Sequence, residues 1–544
     1  MKKIHLILLS VLSGVFLALS WPANGFPFII FLAIVPILFV EDFICKNKHN
    51  FSKSAIFFYS YISFFIWNIL TTWWIINSTV FGAIMAIVFN SLFMALVFWI
   101  YHFIRRNLSR GKSGKLIIIF LWISFEYLHL DWDLSWSWLN LGNVFGAYPQ
   151  FVQWYEYTGT LGGSFWILII NLLVLQIILQ LNHHIKFEKK LIIYVVSLAA
   201  IIITPISFSL LKYFSYNEKE NPVNIIVVQP NIDPYNEKFG GMTGQQQLDK
   251  ILNLAKLKLD DKTDFLVCPE TAIPEGIVED ELDDSKSIDS IKVLIKKYPR
   301  LKVIIGISSF KVYKPNEKHT STARFSNEGS YWYDVCNTAI QLDSSFKAQI
   351  YHKSKLVPGV EKMPFPKLLK PLEKFAINLG GMTGSNATQE DRTAFYCKDT
   401  PVKSAPVICY ESIYGEFVTG YVRNGANLIF VITNDGWWGD TPGYKQHFEF
   451  SRLRAVETRR SIARSANTGI SGFINQRGDV LYESKYCVDD VVAYKLNANN
   501  KITFYVKYGD YFGHFSLYIS FLIFFINLIF VLMNMRFRIR LKKK

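Results

Sequence analysis

Apolar positions run in long blocks through the first 213 residues, separated by short polar breaks. A helix needs about 20 mostly apolar residues to cross the hydrocarbon core of a bilayer. Seven such blocks precede residue 214, at 4–22, 27–44, 54–75, 80–104, 116–130, 164–181 and 191–213, and an eighth covers 513–534. The pattern predicts eight transmembrane helices, with Trp21-Pro22-Ala23-Asn24-Gly25 as a tight turn between the first two. From about 222 the texture changes. Short β-rich runs at 224–229, 265–268, 303–308, 338–342, 407–409, 428–433 and 468–475 alternate with helical stretches at 244–260, 289–298 and 445–465. Strands that read as continuous apolar runs are buried on both faces. An α/β layered domain with helix-covered sheets follows.

Charge orients this arrangement. With Met1 placed inside, the inner segments carry nineteen Lys and Arg, from Lys2 and Lys3 to the six basic residues after Asn534. The outer segments 23–26, 76–79 and 131–163 carry none. The positive-inside rule then puts both termini in the cytoplasm and residues 214–512 on the far side. Three parts result: a seven-helix membrane domain at 1–213, an outer domain at 214–512, and a last span with a basic tail at 513–544. Met1-Lys2-Lys3 before an apolar core also fits a cleaved leader. The lack of a small-x-small cleavage site, and the charge pattern itself, favour a retained span.

Composition narrows the class. The chain is 51% apolar and 19% charged, which excludes a disordered chain and a small disulfide scaffold. The net charge of +15 sits mostly at the ends of apolar runs, which argues for lipid headgroups and against nucleic acid. Five cysteines fall in the outer domain, so at least one thiol there is unpaired within the chain. No Cys/His spacing suggests a metal site.

Three strand ends carry polar groups suited to chemistry, and sites in open α/β folds collect there. The run 265–268 leads into Pro269-Glu270, the run 407–409 ends on Cys409, and 428–433 leads into Asn434-Asp435-Gly436-Trp437-Trp438. A cysteine at a strand-to-helix turn is exposed at its tip, and a helix from Ser412 would favour its thiolate. Cys409 is thus a candidate nucleophile; the competing reading is a buried structural cysteine. A thiol nucleophile needs a base and an oxyanion donor. The histidines of the outer domain, His319, His352, His447 and His514, sit in no papain-like pattern. Glu270 is a candidate base, or else a helix-start carboxylate. Lys353 is a candidate donor, or else a solvated lysine.

Taken together, these residues resemble the nitrilase-like carbon–nitrogen hydrolases, and the whole chain resembles their membrane branch, the apolipoprotein N-acyltransferase family. The motifs are Val-Gln-Pro-Asn-Ile at 228–232, Pro-Glu-Thr-Ala-Ile-Pro at 269–274, Tyr-x-Lys-x-x-Leu-Val-Pro at 351–358, Cys-Tyr-Glu at 409–411 and Thr-Asn-Asp-Gly-Trp-Trp-Gly at 433–439. The resemblance implies an αββα sandwich for the outer domain, with Glu270 as general base, Lys353 as oxyanion stabiliser and Cys409 as nucleophile. It implies supporting roles for Glu361, Tyr410 and Glu411, and substrate contacts at Phe239, Trp138, Trp437 and His447. It also implies the reaction: a fatty acyl chain passes from a phospholipid, through a cysteine thioester, to the free α-amine of a diacylglyceryl-cysteine on an apolipoprotein. No cofactor or metal is needed, the setting is a bacterial inner membrane with the catalytic domain periplasmic, and a monomer suffices. Two departures stand out. The family usually reads Leu-Val-Pro-Phe-Gly-Glu where this chain has Leu-Val-Pro-Gly-Val-Glu at 356–361, and a tryptophan after the first strand is replaced by Phe239.

Two rival readings remain at this point. A membrane-tethered amidase would use the same residues with water as acceptor. A transporter or scaffold would carry a dead domain, but transporters commonly show internal repeats or broken helices, and neither is evident. Two stretches suggest lipid handling: nine aromatic residues in 131–157, and an apolar excursion at 359–396 that reads as a lid admitting acyl chains. Glu126, inside the fifth block, reads as a structural pairing near a span's end.

Overall fold

The computed structural model describes residues 1–108, 113–181, 189–365 and 385–542. Half of the predicted lid, 366–384, therefore lies outside the described residues, as do Arg110, Lys112 and Lys186 of the inner loops. The chain divides into two compact units: Met1–Ile76, Val80–Phe214 and Tyr508–Lys544 form one, and Asn77–Thr79 with Ser215–Lys507 form the other.

The first unit is helical. Among the described residues, six helices are long and apolar enough to cross a membrane: Pro27–Lys46, Ala55–Asn77, Gly82–Leu108, Tyr155–Leu181, Lys189–Ser215 and Tyr511–Asn534. Two of the eight predicted spans fall short of this. The first block is the 17-residue helix Lys3–Leu19, and the fifth is the 12-residue helix Ile117–Leu128. At 1.5 Å per residue, twelve residues rise only about 18 Å. The chain leaves that helix for a run of short turns, and Glu126 accepts the Leu141 N–H at 2.7 Å and the Trp122 indole N–H at 3.0 Å. The sixth span starts earlier than predicted, at Tyr155, and kinks at Gly159, whose φ is +61°. Hydropathy also gave no hint of a buried charge cluster. Arg105 pairs with Glu41 and, at 2.6 Å, with Asp42, while Lys46 and Lys115 reach Asp42 at 2.8 and 3.2 Å.

The second unit stacks two sheets between helices. Its first sheet contains β1 (Pro222–Gln229), β2 (Phe265–Val267), β3 (Ile273–Val278), β4 (Lys302–Val312), β5 (Arg324–Ser326), β6 (Tyr331–Leu342), β7 (Gln349–His352) and β14 (Asp490–Asn497). The strand order is β14-β1-β2-β4-β6-β5, with β3 on β4 and β7 on β6. The second sheet runs β13-β12-β11-β10-β9-β8. Those strands are β8 (Phe395–Tyr396), β9 (Lys403–Ile408), β10 (Leu428–Thr433), β11 (Ile462–Ala466), β12 (Gly472–Ile474) and β13 (Val480–Glu483). The central strands β1-β2-β4 and β9-β10-β11 are parallel.

Apolar periodicity explains the layers. Helices α1 (Gly244–Lys256) and α2 (Lys286–Lys297) turn Leu248, Ile251, Leu252, Ile288, Ile291 and Ile295 onto Ile226, Val228, Leu266 and Ile305 of the first sheet. Helices α3 (Gly415–Arg423) and α4 (Pro442–Thr458) cover the second. The sheets face one another: Phe265 packs on Phe430 with ring centroids 5.1 Å apart, and Ser465 donates to the Val228 carbonyl at 2.7 Å. The helix predicted at 445–465 ends at Thr458. Arg459 leaves it in a left-handed conformation, and 462–466 becomes β11. Its Ala and Arg content reads as helical, but the slot between β10 and β12 decides the outcome.

Candidate active site

Two strand ends of the first sheet and one of the second converge on one cavity of about 150 Å³. β2 runs through Cys268 and Pro269 to Glu270. The ladder continues past the strand, because Gly306 of β4 donates to the Pro269 carbonyl at 3.1 Å. Gly306 is required there: a Cβ would meet the Thr271 nitrogen at 2.4 Å. β7 pairs with β6 and delivers Lys353, whose N–H donates to the Asn337 carbonyl at 2.8 Å. The Lys353 ammonium bridges Glu270 Oε1 at 2.9 Å and Glu361 Oε1 at 2.8 Å. Asn337 Nδ2 binds the same two oxygens, at 2.8 and 3.1 Å. The altered turn at 356–361 keeps Glu361 in register, since its Oε2 accepts the Val357 N–H at 2.9 Å.

The second sheet brings Cys409. It follows β9 and opens a 3-10 turn, Cys409–Ile413, with φ of +48°, a left-handed conformation uncommon for a side-chain-bearing residue. Strain of this kind gathers at functional positions. The thiol lines the cavity with Glu270 and Lys353. Behind it, His447 Nε2 lies 3.1 Å from the Cys409 carbonyl and 2.8 Å from Ser412 Oγ. Its Nδ1 lies 2.9 Å from Asp435 Oδ1, and Arg464 holds Asp435 Oδ2 at 2.6 Å.

The electrostatics favour a protonated Cys409 thiol beside an ionised Glu270 carboxylate. Burial would raise the Glu270 carboxyl, but the Lys353 ammonium and its hydrogen bonds hold it below its ordinary value. Burial would lower Lys353; Glu270 and Glu361 drive it well above the usual lysine range. Burial, then the Glu270 charge, pushes the Cys409 thiol up. This corrects the expectation of a helix-stabilised thiolate: the short turn after Cys409 does not offset desolvation and a neighbouring carboxylate.

The other expected site residues divide. Phe239 and Trp437 line the cavity and stack at 6.2 Å with an interplanar angle of 16°. Tyr410 is buried, its ring edge-on to Tyr414 at 5.2 Å. Glu411 is fully buried and ties the sheets together. Its Oε1 accepts the Ser354 N–H and the Tyr351 hydroxyl, both at 2.7 Å, and its Oε2 accepts the Ile408 N–H at 2.8 Å. His447, expected as a substrate contact, is fully buried behind the Cys409 backbone. Trp138 belongs to the helical unit, buried between Trp74 and Trp136. Asn337 and Lys238 escaped sequence reasoning. Asn337 is a mid-strand amide with no local signal. Lys238 sits beside Phe239 and could have been found from that motif; its Nζ donates to the Glu270 carbonyl at 3.0 Å.

Among the described residues of this unit, two clusters carry donor types that bind metals, Glu279–Cys336–His352 and Cys409–Asp435–His447. In both, protein partners engage the carboxylate: Ser309 and His352 each lie 2.7 Å from Glu279, and Arg464 neutralises Asp435.

Comparison with known proteins adds the last observations. Residues 226–498 match the family described as carbon-nitrogen hydrolase, and residues 13–173 match the domain described as apolipoprotein N-acyltransferase N-terminal domain. The chain is 28% identical over 522 residues to an apolipoprotein N-acyltransferase of Chlorobaculum tepidum, covering 94% of each chain. It is 26% identical to that of Rickettsia prowazekii, covering 98% of this chain and 99% of the relative. A solved CN-hydrolase superfamily protein from Xanthomonas campestris aligns with 51% of this chain and 92% of its own, at 14% identity and a TM-score of 0.34.

Proposed function

The chain belongs to the carbon–nitrogen hydrolase family, and from that premise we propose that it is an apolipoprotein N-acyltransferase. It transfers a fatty acyl chain from a phospholipid to the free α-amine of the N-terminal diacylglyceryl-cysteine of an apolipoprotein. The observation that carries this reading is one cavity lined by Glu270, Lys353 and Cys409, in a chain whose described residues include six helices long enough to cross a membrane. A hydrolase of soluble amides needs no such helices. The positive-inside split supports a bacterial inner membrane, cytoplasmic termini and residues 214–512 on the periplasmic side.

Glu270 takes the proton from the Cys409 thiol as sulfur attacks the ester carbonyl. Lys353 and backbone N–H groups of the turn after Cys409 hold the oxyanion. Glu270 returns the proton to the departing glycerol oxygen, so lysophospholipid leaves and a thioester remains. The acceptor amine then attacks the thioester carbonyl and Glu270 takes its proton. The Cys409 sulfur leaves and is reprotonated, releasing the triacylated lipoprotein. A thioester is activated towards amines, so the transfer needs no further energy source. Asn337 and Glu361 hold Lys353 and Glu270 in register, and a monomer carries every group invoked.

The test is transfer of label from acyl-labelled phospholipid to a diacylated lipopeptide with a free amine, with intact-mass detection of the acyl-enzyme. The wild-type protein forms an adduct of one acyl chain and Cys409→Ala forms none. An adduct that persists in Cys409→Ala, or free fatty acid as the sole product, overturns the reading.

A further inference from the structure

Lys238 lines the cavity, yet the reaction above gives it no task. It follows β1 and is only 3% exposed. Its ammonium donates to the Glu270 backbone carbonyl at 3.0 Å, and no carboxylate among the described residues pairs with it. The cavity's two carboxylates, Glu270 and Glu361, are both engaged by Lys353. An ammonium has three donors, and a buried charge is unfavourable unless something compensates it. Burial accordingly brings Lys238 down to about 8, against the pull of Glu270 and the Cys409 thiol. Lys238 thus lacks a direct carboxylate partner among the described residues, and its ammonium lines the cavity where substrate must lie.

Phospholipid chemistry supplies the matching anion. A glycerophospholipid carries its phosphodiester a few bonds from its ester carbonyl, and the lysophospholipid that leaves keeps that phosphate. The Cys409 thiol and an ammonium without a direct carboxylate partner line one cavity of about 150 Å³. A lysine serves as a point charge for phosphate.

We propose that Lys238 forms the subsite for the donor lipid's phosphate, pairing with the phosphodiester while the ester carbonyl meets Cys409. The proposal rests on the acyltransferase reading and adds a basis for choosing phospholipids over uncharged acyl esters. Lys238 would be a specificity residue, and the competing role is a strut that merely props the Glu270 turn.

The experiment compares thioester formation on the full-length protein from a phospholipid and from a diacylglycerol with the same acyl chains. In wild type the phospholipid is preferred. In Lys238→Gln the ratio of the two rates falls about 10- to 100-fold, the range for a lost charge-assisted hydrogen bond, and Lys238→Arg keeps most of it. A ratio that stays constant while both rates fall shows a strut and overturns the proposal. So does a wild type without preference. A second measurement avoids the variants: glycerol 3-phosphate slows alkylation of wild-type Cys409 and glycerol does not, and equal effects overturn the subsite. Failure of wild type to form any thioester sinks the acyltransferase reading instead, so the two outcomes are distinct.

Discussion

The two sheets of the second unit meet the same cavity with different physics. The first sheet contributes charge: Glu270, Lys353 and Glu361 form one interlocked set, with Asn337 clamping both carboxylates. The second contributes the Cys409 thiol, the proposed nucleophile, on a strained turn braced from behind by His447, Asp435 and Arg464. Keeping the charges opposite the sulfur, and not on its own strand, leaves the thiol protonated until a carbonyl arrives. It also means that each half can be broken without dismantling the other.

The largest effect comes from the charged half. Lys353→Met removes the oxyanion donor and strands two buried carboxylates. Thioester formation in a single turnover is expected to fall about 10²- to 10³-fold, with a loss of about 3–5 kcal/mol of stability. Glu270→Gln is expected to lose a similar factor in rate. Adding it to Lys353→Met then costs little more, because groups acting as one unit are not additive. Additive losses would show that the two carboxylates and the lysine work separately.

The bracing half answers a pH scan. Burial and Arg464 hold His447 below its ordinary value, against Asp435. An unfolded histidine binds a proton near 6.5. The stability tied to neutral His447 is therefore complete above about 6.5 and drains away as pH falls toward the lower folded value. Asp435 is held down by Arg464 and His447 despite burial, so its share is full above the ordinary Asp value and is lost only below it. Asp435→Asn leaves the Arg464 guanidinium buried without its partner and is expected to cost about 3 kcal/mol at pH 7. In His447→Gln the slope of melting temperature between pH 6.5 and 5 flattens. An unchanged slope would remove His447 from the account of acid sensitivity.

Lys238 should show the opposite sign in stability from Lys353. Its folded value lies near 8, below the ordinary lysine value, so the charged form is disfavoured in the fold. Lys238→Met is expected to gain up to about 3 kcal/mol at pH 7. The gain shrinks as pH rises from 8 and vanishes above about 10.5, where lysine is neutral in both states. A thermal melt at pH 7 and pH 10 checks it.

Much of this contrast was legible in the sequence, and the gaps have physical causes. Glu270, Cys409 and the segment at 434–438 follow continuous apolar runs, which mark buried parallel strands and point to their carboxyl ends. Lys353 follows β7, a four-residue strand without such a run, and only the motif resemblance singled it out. Asn337 stayed hidden because its role depends on the β6–β7 register, which local sequence does not encode. The strand at 462–466 was misread because Ala and Arg favour helix locally, while a vacant place beside β10 overrides them. The state of the Cys409 thiol was misjudged for a related reason: a helix-terminus effect is local, but desolvation and the Glu270 charge arise from segments far apart in sequence. Hydropathy counted spans well only where helices are long; the 12-residue helix Ile117–Leu128 has the composition of a span without its length.

The smallest effect concerns the rim where the two halves meet. Phe239, from the loop after β1, stacks on Trp437, which follows β10, and Tyr235 packs edge-on to the same indole at 5.2 Å. Phe239 is 41% exposed and lines the cavity mouth, so on the acyltransferase reading this stack would cover an acyl chain more than hold the fold. Phe239→Ala is expected to lose about 0.5–1.5 kcal/mol of contact. With the ring assigned to the rim and not to the chemistry, that loss belongs to binding: KM for the donor lipid should rise about 2- to 10-fold while kcat holds. Phe239→Trp, which restores the residue usual in the related enzymes, should lower KM instead. A fall in kcat with KM unchanged would move Phe239 from the rim into the chemistry, and the division of labour between the sheets would have to be redrawn.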